Sequence, residues 1–147
     1  MVGVIQRVSE AAIYVGGECV SQIGKGILLL VGIAFDDTHE DVSFMADKTI
    51  HLRIFGDEQG NLNRSLLDEQ GEVLVVSQFT LLGDTRKGRR PSFSDAARPE
   101  AAENLYRALI EEMKSCGVPV KEGRFRARME VKLTNSGPVT LIVNTKK

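Results

Sequence analysis

The sequence predicts one mixed α/β domain of the α+β kind, with mostly antiparallel, barrel- or sandwich-like sheets and helices packed on one side. Three observations predict it. Strand-like runs outnumber helical ones, and the first are joined by turns too short for anything but antiparallel neighbours. Only two segments carry a helical period with capping residues at their ends. The 147 residues, 42% hydrophobic and 27% charged, suit one core, and no repeat, low-complexity segment or linker divides residues 1–147.

The elements follow in order. The chain opens strand-like at Val2–Val8 and continues through Ala11–Val15, and Gly16-Gly17 is a two-residue hairpin turn into Glu18–Ile23. Gly24-Lys25-Gly26 turns into the all-apolar Ile27–Ala34, a strand buried on both faces. Asp36-Asp37-Thr38 precedes a helix to about Leu52, with Thr38 and Asp41 as a capping box and Val42, Met45, Ala46 and Ile50 on one face. After turns at Gly56–Gly60 and Gly71, Glu72–Phe79 reads as a central strand. Gly83–Ser94 is a basic loop. Pro99 opens the longest helix, with the stripe Ala102, Leu105, Tyr106, Leu109, Met113 and Cys116, and Gly117 stops it. From Arg124 to Leu133, apolar residues Phe125, Ala127, Met129, Val131 and Leu133 alternate with charged ones, which predicts a strand with one face inward. A turn at Gly137-Pro138 then closes a hairpin into a last strand, Val139–Val143.

Composition removes several kinds of chemistry. Net charge is −1, so an anionic partner must be met by a local patch. His39 and His51 are the only histidines, and neither adjoins a nucleophile motif. Cys19 and Cys116 lie far apart outside any CxxC pair and are expected to be reduced thiols in the core of a cytoplasmic protein. Two scattered His and two scattered Cys make no metal site, and no phosphate-binding glycine motif calls for a cofactor. The run Ile27–Ala34 falls far short of the ~20 residues that cross a bilayer, so no membrane is expected.

Three segments offer chemistry. Asn135-Ser136-Gly137-Pro138-Val139-Thr140 puts a Gly-Pro bond where an ordinary hairpin turn would stand. It is either a simple closure or a rigid turn presenting backbone carbonyls to a ligand. Ser77-Gln78-Phe79-Thr80-Leu81 places hydroxyls and an amide at the end of an apolar strand, where they either cap backbone groups or line a pocket. Arg86, Lys87, Arg89 and Arg90 form a cationic cluster, a phosphate-tracking footprint or a solvated loop, which Arg124, Arg126, Arg128 and Lys132 extend.

The second and first of these together resemble the D-aminoacyl-tRNA deacylase family, formerly D-tyrosyl-tRNA deacylases. Val4-Ile5-Gln6-Arg7-Val8, Leu52-Arg53-Ile54-Phe55, Arg90-Pro91-Ser92-Phe93-Ser94 and Gly123-Arg124-Phe125 leading to Met129 carry the resemblance along the whole chain. It implies hydrolysis of the ester between a D-amino acid, or glycine, and the 3′ end of tRNA. It also implies a homodimer in which a cis Gly137-Pro138 turn enters the partner's pocket and excludes L side chains. Ser77, Gln78, Phe79 and Thr80 would hold the ester and terminal adenosine, Phe125 and Met129 would line the pocket, and Arg7 and Asn135 would brace the turn. Thr80 would act as a nucleophile, or the terminal ribose hydroxyl would assist a positioned water, with backbone N–H groups around Gln78 and Phe79 stabilising the oxyanion. Two positions depart from the family pattern: Ser136 stands where Asp is usual, and Arg126 where Gly or Ala is usual. The alternatives are a non-catalytic RNA-binding domain and a related deacylase with a trans Gly-Pro bond that admits small L-amino acids.

Overall fold

The computed structural model describes residues 1–146. Among them the elements run β1 (Val2–Val15), β2 (Glu18–Ile23), β3 (Gly26–Gly32), α1 (His39–His51), β4 (Phe55–Gly56), β5 (Leu62–Arg64), α2 (Leu66–Glu69), β6 (Glu72–Ser77), α3 (Pro99–Ser115), β7 (Val120–Glu122) and β8 (Glu130–Asn144). A short 3-10 turn at Phe79–Leu82 follows β6.

β1 is one uninterrupted strand, and it organises the sheet. Its first half pairs with β3, its second half with β2, and both halves pair with β8 along the other edge. All three ladders are antiparallel. Gly16 and Gly17 both have positive φ (57° and 82°), as a two-residue hairpin turn between right-twisted strands requires. Beyond β3 the sheet becomes parallel, through β6 to β7. Parallel neighbours need crossovers, which here contain α1 and α3. Successive crossovers of one hand, moving the same way across a sheet, leave their helices on the same face.

Alternation along β3 then separates two apolar layers. Ile27, Leu29 and Val31 join Val42, Met45, Ile50, Tyr106, Leu109 and Met113 beneath the helices. Leu28 points the other way and joins Val8, Ile13, Ile23, Leu74 and Val76, over which Met129, Val131 and Leu133 close. The second layer is the interior of a sheet curling into a near-barrel. Each fully buried Leu or Ile contributes about 1.5–3 kcal/mol. The capping box at α1 is present as expected, with Thr38 accepting from the first turn and Asp41 accepting from the Thr38 N–H at 2.8 Å.

Four expectations are corrected. The alternating stretch before Glu130 is not a strand; the strand neighbouring β6 is Val120–Glu122, and residues 124–127 form a turn closed by Ala127 N–H on the Arg124 carbonyl (3.1 Å). Its alternation records one-sided burial, with Phe125 and Met129 packed on the two apolar layers, instead of a sheet pleat. The Gly-Pro segment does not close a hairpin, because β8 stays paired with β1 on both sides of it: Gln6 opposes Thr140 and Val8 opposes Asn135. Residues 136–139 therefore bulge opposite the single residue Arg7. The central strand ends at Ser77, so Phe79 and Thr80 belong to the 3-10 turn. Cys19 and Cys116 are both exposed, Cys19 on the strand after the hairpin turn and Cys116 as the C-cap of α3, past its last buried residue Met113. No helix among the described residues is long and apolar enough to cross a membrane.

Candidate active site

Where β6 stops, the chain turns sharply against β3. Gln78 N–H extends the ladder by one bond to the Val31 carbonyl (2.8 Å), and the 3-10 turn begins. The close approach needs Gly32: a Cβ there would lie 2.4 Å from Leu82 Cδ2 and 2.9 Å from the Gln78 carbonyl oxygen. Phe79 is thereby pushed outward, 57% exposed, with its ring edge-on to Phe93 at 5.2 Å between centroids.

A cleft of about 670 Å³ opens between this turn, the start of α3 and residues 125–131. Its walls include Ser77, Gln78, Phe79, Phe93, Phe125 and Met129. Behind it, Tyr106 of α3 stacks near Phe125 (5.6 Å) and donates its hydroxyl to the Val75 carbonyl at 3.2 Å. Burial pushes that phenol well above its ordinary range, so it stays a neutral donor. Among the described residues the Ser77 hydroxyl has no protein partner. Gln78 Nε2 donates to Thr80 Oγ1 at 2.5 Å, while Thr80 itself is exposed beside the cleft. The Gln78 N–H, spent on Val31, is unavailable to an oxyanion. The Phe79 and Thr80 N–H groups open the 3-10 turn and have no acceptor within it.

The Gly-Pro bulge is held from below. Arg7 Nε donates to the Ser136 carbonyl (3.1 Å), Nη2 to the Gly137 carbonyl (3.1 Å) and Nη1 to the Ile54 carbonyl (2.7 Å). Asn135 Nδ2 donates to the Arg7 and Val139 carbonyls at 3.0 and 3.1 Å. Val139 is buried, Gly137 and Pro138 are exposed, and the Gly137–Pro138 peptide is cis. Residues 84–92 form a hairpin-like loop through paired Asp84 and Ser92 backbone bonds (2.7 and 3.0 Å). Arg86 is clamped on Asp84 (2.9 and 2.6 Å), and its hydrogen bonds hold that carboxyl far below the usual carboxylate range. Lys87, Arg89 and Arg90 at the exposed tip have no carboxylate partner among the described residues.

Residues 4–144 match the profile of the family described as D-Tyr-tRNA(Tyr) deacylase. The chain belongs to that family. A protein named D-aminoacyl-tRNA deacylase from Thermoanaerobacter pseudethanolicus is 54% identical over 147 residues, covering 100% of this chain and 99% of the relative. Another of that name from Brevibacillus brevis is 55% identical over 142 residues, 97% of this chain and 98% of the relative. Among solved structures, one called c-Myc DNA Unwinding Element Binding Protein superposes with a TM-score of 0.93 at 41% identity, covering 98% of each chain. A probable eukaryotic D-amino acid tRNA deacylase superposes at 0.83 with 19% identity, over 97% of each chain, which speaks to the fold. Membership makes the protein a hydrolase of the aminoacyl-tRNA ester, and the reading as a non-catalytic RNA-binding domain gives way.

In this deacylase the residues singled out from the sequence fall into two sets. Ser77, Gln78, Phe79, Phe125 and Met129 line one cleft. Arg7 and Pro138 line a different one, with Lys25, Phe55 and Leu62. A single chain does not bring the turn to the cleft. Sequence reasoning missed Phe93, whose position after the basic loop was the available signal, and Val139, whose burial anchors the turn. Among the described residues no group of three His, Cys, Asp or Glu is placed to hold a metal.

Proposed function

We propose that this deacylase selects for D-aminoacyl esters by backbone exclusion across a homodimer interface. The observation that carries the reading is the separation of the two sets: a braced turn with exposed Gly137 and Pro138 lines none of the cleft of its own chain. A second copy related by two-fold symmetry can supply each cleft with the other's turn. The outer edge of β8 beside the turn pairs with no other strand among the described residues and exposes Leu141 and Ile142, which suits it to burial against a copy. With the Gly137 and Pro138 carbonyls meeting the substrate's α-amino group, an L side chain has no space, and glycine, with none to exclude, is also cleaved. The exposed tip of Lys87, Arg89 and Arg90 tracks tRNA phosphates, and the setting is the cytoplasm, where aminoacyl-tRNA is found.

Hydrolysis needs water to attack the ester carbonyl, the oxyanion to be held, and the terminal ribose oxygen to leave with a proton. Thr80 is unsuited to attack: its oxygen already accepts from Gln78, and among the described residues no base is hydrogen-bonded to its proton. Its hydroxyl instead orients substrate or water. The Phe79 and Thr80 N–H groups hold the oxyanion, and the neighbouring ribose hydroxyl assists the water.

Matched D- and L-aminoacyl-tRNA test the filter, and equal rates on the two would refute it. The dimer claim is tested by mixing a Gly137→Trp variant with a Phe79→Ala, Gln78→Ala variant after joint refolding. If sites combine residues of both subunits, random mixing restores about a quarter of wild-type activity. No recovery from a mixture proven to contain heterodimers would place turn and cleft in one chain.

A further inference from the structure

We infer that Arg126 and Arg128 form an anion clamp at the cleft that grips the phosphodiester adjoining the substrate's terminal nucleoside. The inference rests on the deacylase reading of the cleft and adds the group that holds the nucleic acid there. Arg126 is the third residue of the turn closed by Ala127 N–H on the Arg124 carbonyl, and its φ is +67° while that of Phe125 is not positive. Glycine or asparagine ordinarily takes that position. The other non-glycine residue with positive φ among those described, Gln70, is the C-cap of α2, where the conformation is ordinary. No cap or hairpin explains it at Arg126. An L residue with a long cationic side chain held there points to use of the side chain.

The surroundings identify the use. Arg126 and Arg128 both line the cleft, and no Asp or Glu does. Neither arginine has a carboxylate within ion-pair distance among the described residues, whereas Arg64, Arg86 and Arg107 are all paired. In a chain of net charge −1 this is a local excess of two positive charges beside aromatic walls. Aromatic rings suit a base face, and guanidinium forks suit phosphate. The α-carboxyl of the amino acid is consumed by the ester, so the anions that every substrate offers these arginines are tRNA phosphates.

The test uses the full-length protein and D-aminoacyl-tRNA. Arg126→Gly suits the local φ and is expected to fold with an unchanged or higher Tm; Arg128→Gln is a second, independent probe. Each variant is expected to raise KM about fivefold or more while kcat moves less. Each should also make the fall of log kcat/KM with log salt shallower by about 0.7. A parallel pair of substrates, the D-aminoacyl ester of adenosine with and without a 5′-phosphate, should show a phosphate preference in the wild type that the double variant lacks. Unchanged KM and salt slope in folded variants of an active wild type would overturn the clamp and leave the deacylase reading standing. A wild type that releases no D-amino acid would overturn both.

Discussion

Replacing Arg7 separates the turn's position from the rest of the fold. Its guanidinium makes three hydrogen bonds to carbonyls, on Ser136, Gly137 and Ile54. Gly137 is exposed and regains water when the donor is removed, whereas Ile54 is 4% exposed and Ser136 is half-buried. A net hydrogen bond contributes about 1 kcal/mol, and a buried acceptor left unpaired costs about 1–3. Arg7→Ala should therefore destabilise by about 2–4 kcal/mol, less than the ~5–15 kcal/mol that holds a domain of this kind together. Activity should suffer more, since a displacement of about 1 Å in a positioning group costs on the order of 100-fold. Arg7→Lys sharpens the test: it keeps the charge, but one ammonium cannot span three carbonyls in the planar pattern of the fork. Urea unfolding gives the first quantity, and single-turnover deacylation of D- and L-aminoacyl-tRNA gives the second. Arg7→Lys with wild-type D-activity and intact L-rejection would refute the claim that the fork sets the turn.

Three further outcomes are expected. Gly137→Ala should fold normally, because a Cβ there has nothing nearer than Asn135 Oδ1 at 4.0 Å, yet lose about 10- to 200-fold in kcat/KM on D-aminoacyl-tRNA. Thr80→Val should keep activity within about tenfold of wild type if the hydroxyl only orients, with complete loss in a folded protein restoring the nucleophile reading. Burial alone would raise the Asp41 carboxyl, but the Thr145 hydroxyl, the Thr38 N–H, Lys146 and the N-terminal ammonium hold it below its ordinary range. A carboxyl lowered by folding contributes stability that is fully present above its unfolded value, near pH 4, and is lost as pH falls through the folded value. Asp41→Asn should thus cost about 1–3 kcal/mol at pH 7, with the difference shrinking below pH 4 in urea titrations. A gap that stays constant to pH 2 would contradict the linkage.

What could be read from the sequence is what local chemistry decides. Thr38 with Asp41 and Gly16-Gly17 announce a helix start and a hairpin turn because the partners sit within three residues of one another. Ser77–Thr80 stood out because polar groups are costly at the end of an apolar strand, with backbone capping and pocket lining both left open. The failures are long-range. Whether Gly137-Pro138 closes a hairpin or interrupts one strand depends on β1, some 130 residues away, which stays paired on both sides. Alternation before Glu130 looks the same whether the stretch is a strand or a turn with one side packed on the core. Arg86 looked as free as Arg89 until the fold of the loop placed Asp84 beneath its guanidinium. The cleft and turn motifs were both legible, but their placement on different parts of the chain was not.

On the proposed reading, that placement accounts for a site with few catalytic side chains. D- and L-aminoacyl esters present the same groups in different directions, so a site that fixes the ester and the ammonium can reject one isomer by filling the direction its side chain needs. A side chain used as the obstacle can change rotamer, which lets the wrong isomer in. A backbone turn cannot do so while Arg7 holds the Ser136 and Gly137 carbonyls and Asn135 ties it to the Arg7 and Val139 carbonyls. Arg7 and Asn135 are thus committed to holding the turn. In the proposed mechanism an ester with a hydroxyl on the adjacent ribose carbon tolerates that division: the substrate would bring its own assisting group and the protein would exclude, orient and hold.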